Sequence, residues 1–321
     1  MKVLISGGGG FIGFNLAKKI IGAGGQAHVL DNNVKLKNDI EFVEFTNCSL
    51  VEFIEVDFAS KDWFDVVDDD YTHYVHLAAM LGVDNVISHP LATLNVNAEL
   101  TISFVRRALM QPSKPHFLFA SSSEVYAGTM AQGTIEVPTP EECPIILPDI
   151  SSPRVAYMLS KLYGEAIVTH SGLPHTIFRP HNIYGPRMGM RHVIPQLMQR
   201  AVSTEADFLE VFSPFHSRTF CYIDDAVEQL FRLMRRDALS GEVVNIGNEK
   251  PEVTMFQLAE MILKIVNKNV PIKAGKVTVG SPRRRCPKMR KCFDMTSYNN
   301  KVGLQLGLEK TFHWYFQNIF Q

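Results

Sequence analysis

The chain has 321 residues, 46% of them hydrophobic, so it can bury a sizeable core and is not expected to be disordered. Its 32 lysines and arginines nearly balance 33 aspartates and glutamates, which argues against a surface that binds nucleic acid or acidic lipid throughout. No apolar run approaches the roughly 18–20 residues that span a bilayer.

Short apolar segments alternate with amphipathic ones along the first half of the chain. The segments typical of buried strands are Val3–Ser6, Ala27–Leu30, Phe53–Val56, Tyr74–Leu77, His116–Ala120 and Thr176–Phe178. The segments with helical periodicity are Phe11–Ile21, Asn95–Leu109 and Val155–His170. Strands that alternate with helices form βαβ units, so we predict an α/β fold with a doubly wound parallel sheet.

The pattern changes after Arg179. Helical segments are separated by short strand candidates such as Val243–Ile246, and proline and basic residues cluster in Ser281–Lys291. The helical segments are Val193–Val202, Asp224–Arg235 and Met255–Val266. We therefore predict two domains, with residues 1–180 holding the sheet. Residues 181–321 form a smaller mixed α/β lobe, with some return of the chain to the first domain.

A glycine-rich loop, Gly7–Gly13, directly follows the first strand and opens the first helix. Its glycines at 7, 10 and 13 permit a tight turn, let a pyrophosphate approach bare backbone, and let the helix pack closely on the strand. The free amides at the helix N-terminus favour phosphate. This placement predicts a dinucleotide site.

The cofactor is predicted from Asp31, which ends the second strand about twenty residues after the glycine loop. A carboxylate there accepts hydrogen bonds from the adenosine ribose hydroxyls and repels a 2′-phosphate. The next residue, Asn32, offers no positive charge that could hold such a phosphate. We therefore predict NAD rather than NADP.

Tyr157 and Lys161 are four residues apart in a predicted helix, so they share one face of it. A lysine ammonium beside a phenol favours the phenolate, and we predict that Lys161 lowers the pKa of Tyr157 toward neutrality. The tyrosine can then take a proton from a sugar hydroxyl as hydride leaves the same carbon for NAD.

Further motifs follow in chain order: Asp57-Phe58, His76–Ala79, Asn97, Ser121–Tyr126, Arg179–Arg187, Arg218 and Arg283–Pro287. Together with the loop and the Tyr157/Lys161 pair, they resemble the extended short-chain dehydrogenase/reductase superfamily of NAD-dependent nucleotide-sugar epimerases, dehydratases and decarboxylases. The resemblance spans nearly the whole chain. It implies a Rossmann-type NAD-binding domain, a substrate-binding lobe, and an enzyme that oxidises the sugar of a nucleotide sugar, usually at C4.

The resemblance extends the predicted set of cofactor-binding residues. Asp57 would meet the adenine amino group, Lys161 would also hold the nicotinamide ribose, and Pro180 would lie behind the nicotinamide. The whole set is Gly7, Gly10, Phe11, Ile12, Gly13, Asp31, Asn32, Asp57, Phe58, Leu77, Ala78, Ala79, Asn97, Tyr157, Lys161 and Pro180.

The substrate-binding residues are likewise implied by the resemblance. Ser122 would hydrogen-bond the reacting hydroxyl and Asn182 would touch the diphosphate. Three arginines are candidates for the diphosphate or nucleoside, because guanidinium forks match phosphate geometry; they are Arg187, Arg218 and Arg284. We assign His76 and His181 structural roles and predict no metal.

The reaction depends on the residues after Ser122. Epimerases of this family need no further acid–base pair, whereas some dehydratases and the decarboxylases use a glutamate where this chain has Glu124. Gly185–Met188 is reminiscent of decarboxylases, but His76–Val86 lacks their proline-rich loop. We predict a nucleotide-sugar 4-epimerase with Tyr157, Lys161, Ser122 and Glu124 as catalytic residues. The alternatives are a 4,6-dehydratase, a UDP-glucuronate decarboxylase, a C4 oxidase and, remotely, a non-catalytic NAD or nucleotide-sugar binder.

The five cysteines are scattered without Cys-x-x-Cys spacing, as in a cytoplasmic protein with reduced thiols. The N-terminus carries one charge before a short apolar strand, unlike a signal peptide. The resemblance suggests a homodimer that pairs Asn95–Leu109 and Val155–His170 of each subunit, and a place in polysaccharide biosynthesis. We expect neither a nucleic acid nor a membrane as partner.

Overall fold

A computed structural model describes residues 1–32, 39–58, 60, 62–133, 135–203, 207–236, 240–278 and 280–320. The chain divides into two compact units. Unit 1 comprises Met1–Val125, Leu147–Pro180 and Val227–Val244, and unit 2 comprises Tyr126–Ile146, His181–Ala226 and Asn245–Gln321. The first unit thus lacks Tyr126–Ile146, which the sequence placed in the domain of residues 1–180.

Unit 1 is built on a seven-stranded sheet with the order β11-β6-β5-β4-β1-β2-β3. The strands are β1 (Lys2–Ser6), β2 (Gln26–Asp31), β3 (Val51–Glu55), β4 (His73–His76), β5 (His116–Ala120), β6 (His175–Pro180) and β11 (Glu242–Ile246). The neighbouring pairs from β6 to β3 all run parallel. The order reverses at β1, where the glycine loop begins, and this is where doubly wound sheets bind their ligands. The predicted Rossmann-type α/β fold is confirmed.

Helices cover both faces of this sheet. They are α1 (Phe11–Gly22), α2 (Ile40–Thr46), α3 (Val83–Ser88), α4 (Pro90–Met110), α6 (Val155–Thr169) and the later part of α8 (Ile223–Met234), with a 3₁₀ turn at Asp62–Phe64. The core between the sheet, α4 and α6 is rich in aromatic side chains, including Trp63, Tyr74, Phe104 and Phe117. Burying a large apolar side chain contributes roughly 1.5–3 kcal/mol, so this cluster fixes α4 and α6 firmly on the strands.

Unit 2 is a smaller mixture of short strands and helices. Its helices are α5 (Ala127–Ala131), α7 (Val193–Val202), α9 (Met255–Ile265), α10 (Arg290–Thr296) and α11 (Leu304–Asn318). Its strands are β7 (Ile183–Tyr184), β8 (Leu209–Val211), β9 (Ser217–Thr219), β10 (Cys221–Tyr222), β12 (Glu252–Thr254), β13 (Ile272–Ala274) and β14 (Arg284–Arg285). They form the sheets β10-β7, β12-β9-β14 and β13-β8.

The structure adds two pairings to the sequence-based prediction. Val243–Ile246, predicted among the elements of the second lobe, belongs to β11 at the edge of the main sheet. The basic segment Ser281–Lys291 contains β14, which pairs with β9. Both pairings join distant parts of the chain, and the sequence of a short apolar or basic segment does not indicate which strand it pairs with. In the described parts of the chain, no helix combines the length and hydropathy needed to cross a membrane.

Candidate active site

The glycine loop forms a cradle of bare backbone. Gly7 has φ +69°, and a Cβ there would lie 2.7 Å from the backbone nitrogen of Ala78. A Cβ at Gly13 would lie 2.5 Å from the carbonyl oxygen of Gly7. No side chain in the described part of the chain caps the first turn of α1, which follows Gly10, so the amides of this turn can bind an anion. A cradle that excludes side chains and presents amides fits the pyrophosphate of NAD.

Asp31 lies beside this cradle at the end of β2. Its Oδ2 accepts a hydrogen bond from the backbone N–H of Gly9 at 3.2 Å. The carboxylate is partly exposed, and Asn32 after it is exposed. The structure therefore brings the loop and the predicted ribose-binding carboxylate together.

Asn97 fixes the segment that follows β4. Its side-chain oxygen accepts from the backbone N–H of Met80 at 2.7 Å, and its Nδ2 donates to the carbonyl of Met80 at 3.1 Å and to Ser160 Oγ at 3.0 Å. It is only 3% exposed. Asn97 thus ties α6 to the end of the segment that contains Leu77–Ala79, and its predicted direct contact with the cofactor stays a prediction.

Three more of the predicted cofactor residues lie at the end of a strand or within three residues after it. Asp57 is exposed just after β3, whereas the ring of Phe58 packs on Trp63 with centroids 5.5 Å apart. Phe58 therefore belongs partly to the core. Pro180 is the last residue of β6.

The predicted catalytic residues meet where β5 ends against α6. Lys161 is 4% exposed, its Nζ donates to the carbonyl of Ala120 at 2.8 Å, and it lies 5.8 Å from the centroid of the Tyr157 ring. Tyr157 is hydrogen-bonded to Ser122, whose Oγ also accepts from the backbone N–H of Glu124 at 3.1 Å. A sugar hydroxyl beside this group would meet both a proton acceptor and a hydrogen-bonding partner.

The predicted pKa of Tyr157 is wrong for this arrangement of side chains. Burial raises the pKa of the phenol to about 12, although the hydrogen bond with Ser122 acts to lower it. Burial also lowers the pKa of Lys161 to about 8, against the opposing charge of Glu165. The lysine does not lower the pKa of the phenol as expected, because its Nζ lies over the ring and bonds a carbonyl instead.

Glu124 stands next to this group and is partly buried. Its Oε2 lies 4.0 Å from Arg154 Nη2, with side-chain exposures of 29% and 24%. Its negative charge contributes to the raised pKa of Tyr157. The sequence did not single out Arg154, which directly precedes α6 and carries no motif of its own.

The predicted substrate-binding arginines of unit 2 have different surroundings. Arg218, 9% exposed, donates to the carbonyls of Ser217 and Pro282 at 2.6 Å each and to Ser281 Oγ at 2.9 Å. Arg187 is partly buried, with φ +67°. Nδ2 of Asn182 donates to the carbonyl of Thr219 at 2.9 Å.

Arg284 and its neighbour Arg285 face opposite sides of β14, as successive strand residues must. The guanidinium of Arg284 is bound by both carboxylate oxygens of Glu252, from 2.7 to 3.0 Å, and is half exposed. Arg285 is 9% exposed and stands in register with Arg218 on β9. The guanidinium of Arg284 is thus already paired with a carboxylate, and its contact with the substrate stays a prediction.

Sequence reasoning missed Asn245, a fully buried residue that joins several segments of unit 2. Its Oδ1 accepts from Tyr126 Oη and lies 3.0 Å from His181 Nε2. Its Nδ2 donates to the carbonyls of Thr139 at 3.0 Å and Lys288 at 3.4 Å. A buried asparagine with this many partners is structural, and only its position at a strand end could have hinted at it.

The two motif histidines are buried and hydrogen-bonded. His76 Nδ1 lies 2.6 Å from Ser6 Oγ, and burial holds its pKa well below the usual value. Among the described residues, the group able to hold a metal ion is His28, Glu52 and Asp68. The ammonium of Lys2 already lies 2.5 Å from the carboxylate of Asp68, so an ion pair accounts for this group.

The chain matches known proteins along nearly its full length. Residues 3–247 match the sequence model of the NAD dependent epimerase/dehydratase family. The chain is 29% identical over 327 residues to a UDP-N-acetyl-alpha-D-glucosaminuronate decarboxylase of Bacillus cytotoxicus, covering 98% of this chain and 97% of the relative. It is also 29% identical over 315 residues to UDP-glucuronic acid decarboxylase 6 of Arabidopsis thaliana, covering 96% and 87%.

Solved structures share the fold. A UDP-glucuronic acid 4-epimerase of Bacillus cereus superimposes with a TM-score of 0.83 at 24% identity, covering 99% of each chain. A dTDP-glucose 4,6-dehydratase of Streptomyces venezuelae gives 0.84 at 21% identity, covering 99% of this chain and 98% of that one. At these identities the likeness bears on the fold alone.

Proposed function

The chain belongs to the NAD-dependent epimerase/dehydratase family, and on this premise we propose that it decarboxylates a nucleotide-linked uronic acid after oxidising the sugar at C4. That it is an NAD-dependent enzyme of nucleotide sugars follows from the family and the full-length relatives. The sequence alone favoured a 4-epimerase, with decarboxylation among the alternatives. The two curated relatives described above are both decarboxylases of uronic acids, which favours that alternative.

The observation that carries the proposal is the position of Glu124. Its carboxylate is close enough to the Ser122/Tyr157 pair for its charge to act on the phenol, and Arg154 lies beside it. A simple epimerase needs no such second acid–base group. A decarboxylase does need one, because C5 must take up a proton after CO₂ has left.

The chemistry can be assigned to this chain's own residues. Tyr157 takes the proton of the C4 hydroxyl and Ser122 holds that hydroxyl, while Lys161 would hold the nicotinamide ribose when NAD is bound. NAD, when bound in the glycine cradle, supplies the hydride acceptor at C4 and the hydride donor for the product.

A ketone at C4 makes the C6 carboxylate part of a β-keto acid. The C5–C6 bond then breaks, its electron pair moves to C5 and the C4 oxygen, and CO₂ leaves. Glu124, with Arg154 beside it, is placed to hold the proton that C5 takes up.

We assign NAD binding to unit 1 and nucleotide binding to unit 2. Within unit 2, the buried guanidinium groups of Arg218 and Arg285 are our candidates for the diphosphate, since such forks match phosphate oxygens. Asn182 and Arg187 remain predicted substrate contacts. Arg284, bound by Glu252, we leave out of the set.

The test is incubation with UDP-glucuronate, UDP-N-acetylglucosaminuronate and, as neutral controls, UDP-glucose and dTDP-glucose, with products followed by mass spectrometry and proton NMR. Loss of CO₂ from a uronate supports the proposal. Unchanged mass with an inverted C4 signal would establish the 4-epimerase instead, and loss of water would establish a dehydratase. Glu124→Gln should still allow C4 oxidation and the loss of CO₂ but should slow the protonation of C5, and with it the formation of the finished product, whereas Tyr157→Phe should abolish C4 oxidation and everything after it.

We also propose a homodimer built from α4 and α6. These helices expose Val96, Leu109 and Tyr163, which are 38%, 45% and 53% accessible. A second copy could cover them. Light scattering of the purified chain tests this, and a monomer at micromolar concentration would contradict it.

A further inference from the structure

Glu165, four residues after Lys161 on α6, forms a buried ion pair to which the proposed mechanism gives no role. Its Oε1 accepts from Arg179 Nε at 2.9 Å and its Oε2 accepts from Arg179 Nη2 at 2.8 Å. Their side chains are 12% and 6% exposed. Hydrogen bonds in such a bidentate ion pair are roughly twice as strong as neutral ones, and the paired geometry fixes the orientation of both groups.

The same carboxylate is bonded to the strand that carries the site. Residues 120–122, at the end of β5, each contact a different turn of α6. The carbonyl of Ala120 accepts a hydrogen bond from Lys161 at 2.8 Å, and the hydroxyl of Ser121 donates one to Glu165 at 2.5 Å. Ser122 is hydrogen-bonded to Tyr157. The three contacts set the helix in register with the strand end.

The charged and titratable groups around Lys161 come from three elements, one of which is β6 with Arg179, the partner of Glu165. On α6 these are Tyr157 and Glu165, and from β4 the ring of His76 feels the lysine's charge. Burial keeps His76 neutral, and Tyr157 is also neutral at ordinary pH. Glu165 is therefore the group of this set that supplies negative charge.

We propose that Glu165, held by Arg179, is a positioning residue. It locks the helix of Tyr157 and Lys161 onto residues 120–122 and supplies the negative charge that keeps the Lys161 ammonium protonated. The inference rests on the proposed role of Lys161 in oxidation at C4. It predicts that the charge of Glu165, beyond its packing, matters to the site.

The test is a pH titration of Lys161 by NMR on the NAD-saturated chain labelled with ¹³C at lysine Cε. The Lys161 signal is identified by its loss in Lys161→Met. In Glu165→Gln, the midpoint should fall by on the order of one pH unit, because an opposite charge is removed while the positive Arg179 remains. Ser121→Ala, which removes one hydrogen bond and no charge, should leave the midpoint in place.

A second variant covers the case in which Glu165→Gln does not fold. In Glu165→Gln/Arg179→Gln both charges are absent, and the midpoint should fall in the same direction by less. The matched control is Asp69→Asn, which takes a carboxylate from the buried guanidinium of Arg107 on α4 and should not move the signal.

An unchanged Lys161 midpoint in both Glu165 variants would overturn the proposal. So would an equal fall in Ser121→Ala, because packing would then explain the effect. The titration needs no sugar substrate, so the Lys161 midpoint can be interpreted even if the chain turns out not to decarboxylate uronates. Conversely, a chain that decarboxylates uronates with an unmoved midpoint would refute the positioning role alone.

Discussion

Replacing Lys161, the buried lysine of the proposed mechanism, should make the protein more stable at neutral pH while abolishing turnover. Burial lowers the pKa of Lys161 from 10.5 to about 8. At ~1.4 kcal/mol per pKa unit, the charged form destabilises the fold by about 3 kcal/mol. Lys161→Met removes this cost but leaves the carbonyl of Ala120 without its donor, a loss of about 1 kcal/mol. The net expected gain is about 2 kcal/mol.

The sign of the effect depends on pH. The unfolded lysine titrates at its ordinary value and the folded one at about 8, so the destabilisation is complete below pH 8 and vanishes above 10.5. Lys161→Met should thus be the more stable form at about pH 7 and slightly the less stable near pH 10.5, where only the lost hydrogen bond counts.

The assay is urea unfolding of cofactor-stripped protein, followed by circular dichroism at both pH values. Lys288→Met, which removes an ammonium whose side chain is 46% exposed, is the matched control and should change stability by less than about 0.5 kcal/mol. The reasoning fails if Lys161→Met is less stable than the parent at pH 7, or if its gain is the same at both pH values.

Three further changes test other parts of the structure. Gly13→Ala places a Cβ 2.5 Å from the carbonyl oxygen of Gly7. The overpacking costs about 1–3 kcal/mol and should raise the Kd for NAD, measured by calorimetry, roughly 5- to 150-fold. An unchanged Kd would contradict the assignment of the glycine loop as the pyrophosphate site. Arg285→Met should raise KM for the nucleotide sugar about 10- to 100-fold in steady-state kinetics, because charge-assisted hydrogen bonds to the substrate are lost, while Arg284→Met should change KM less than about twofold. The opposite order of effects would show that Arg284, and not Arg285, binds the substrate. Asn245→Ala removes four side-chain hydrogen bonds and should lower the free energy of unfolding by about 3–4 kcal/mol in urea titrations; a loss below about 1 kcal/mol would mean that the network is not stabilising.

The fold was predictable because its signals are local. The glycine loop, the apolar strands and the helix that carries Tyr157 and Lys161 can all be recognised from spacing within a few residues. The structure shows each of them within a few residues of its predicted bounds. The strands that pair with β11 and β14 could not be predicted from the sequence, because pairing between distant strands leaves no local pattern.

The structure brings together Tyr157, Lys161 and Ser122, as the sequence predicted, but the electrostatics of this group could not be predicted. Spacing places Lys161 on the same helical face as Tyr157, yet the pKa of the phenol depends on burial and on where the ammonium points. The choice between Arg284 and Arg285 depends on a feature of the same kind. Only the register of β14 on β9 decides which arginine faces inward, and three consecutive arginines carry no sign of that register.

The hydrogen bond from Gly9 to Asp31 bears on attempts to engineer cofactor preference. Replacing this aspartate with a small or basic residue is the direct way to admit a 2′-phosphate. In this protein the same carboxylate also braces the backbone of the glycine loop. The exchange would therefore loosen the pyrophosphate cradle while it opens the ribose pocket. A designed NADP-dependent form needs a second substitution that restores an acceptor for the Gly9 amide.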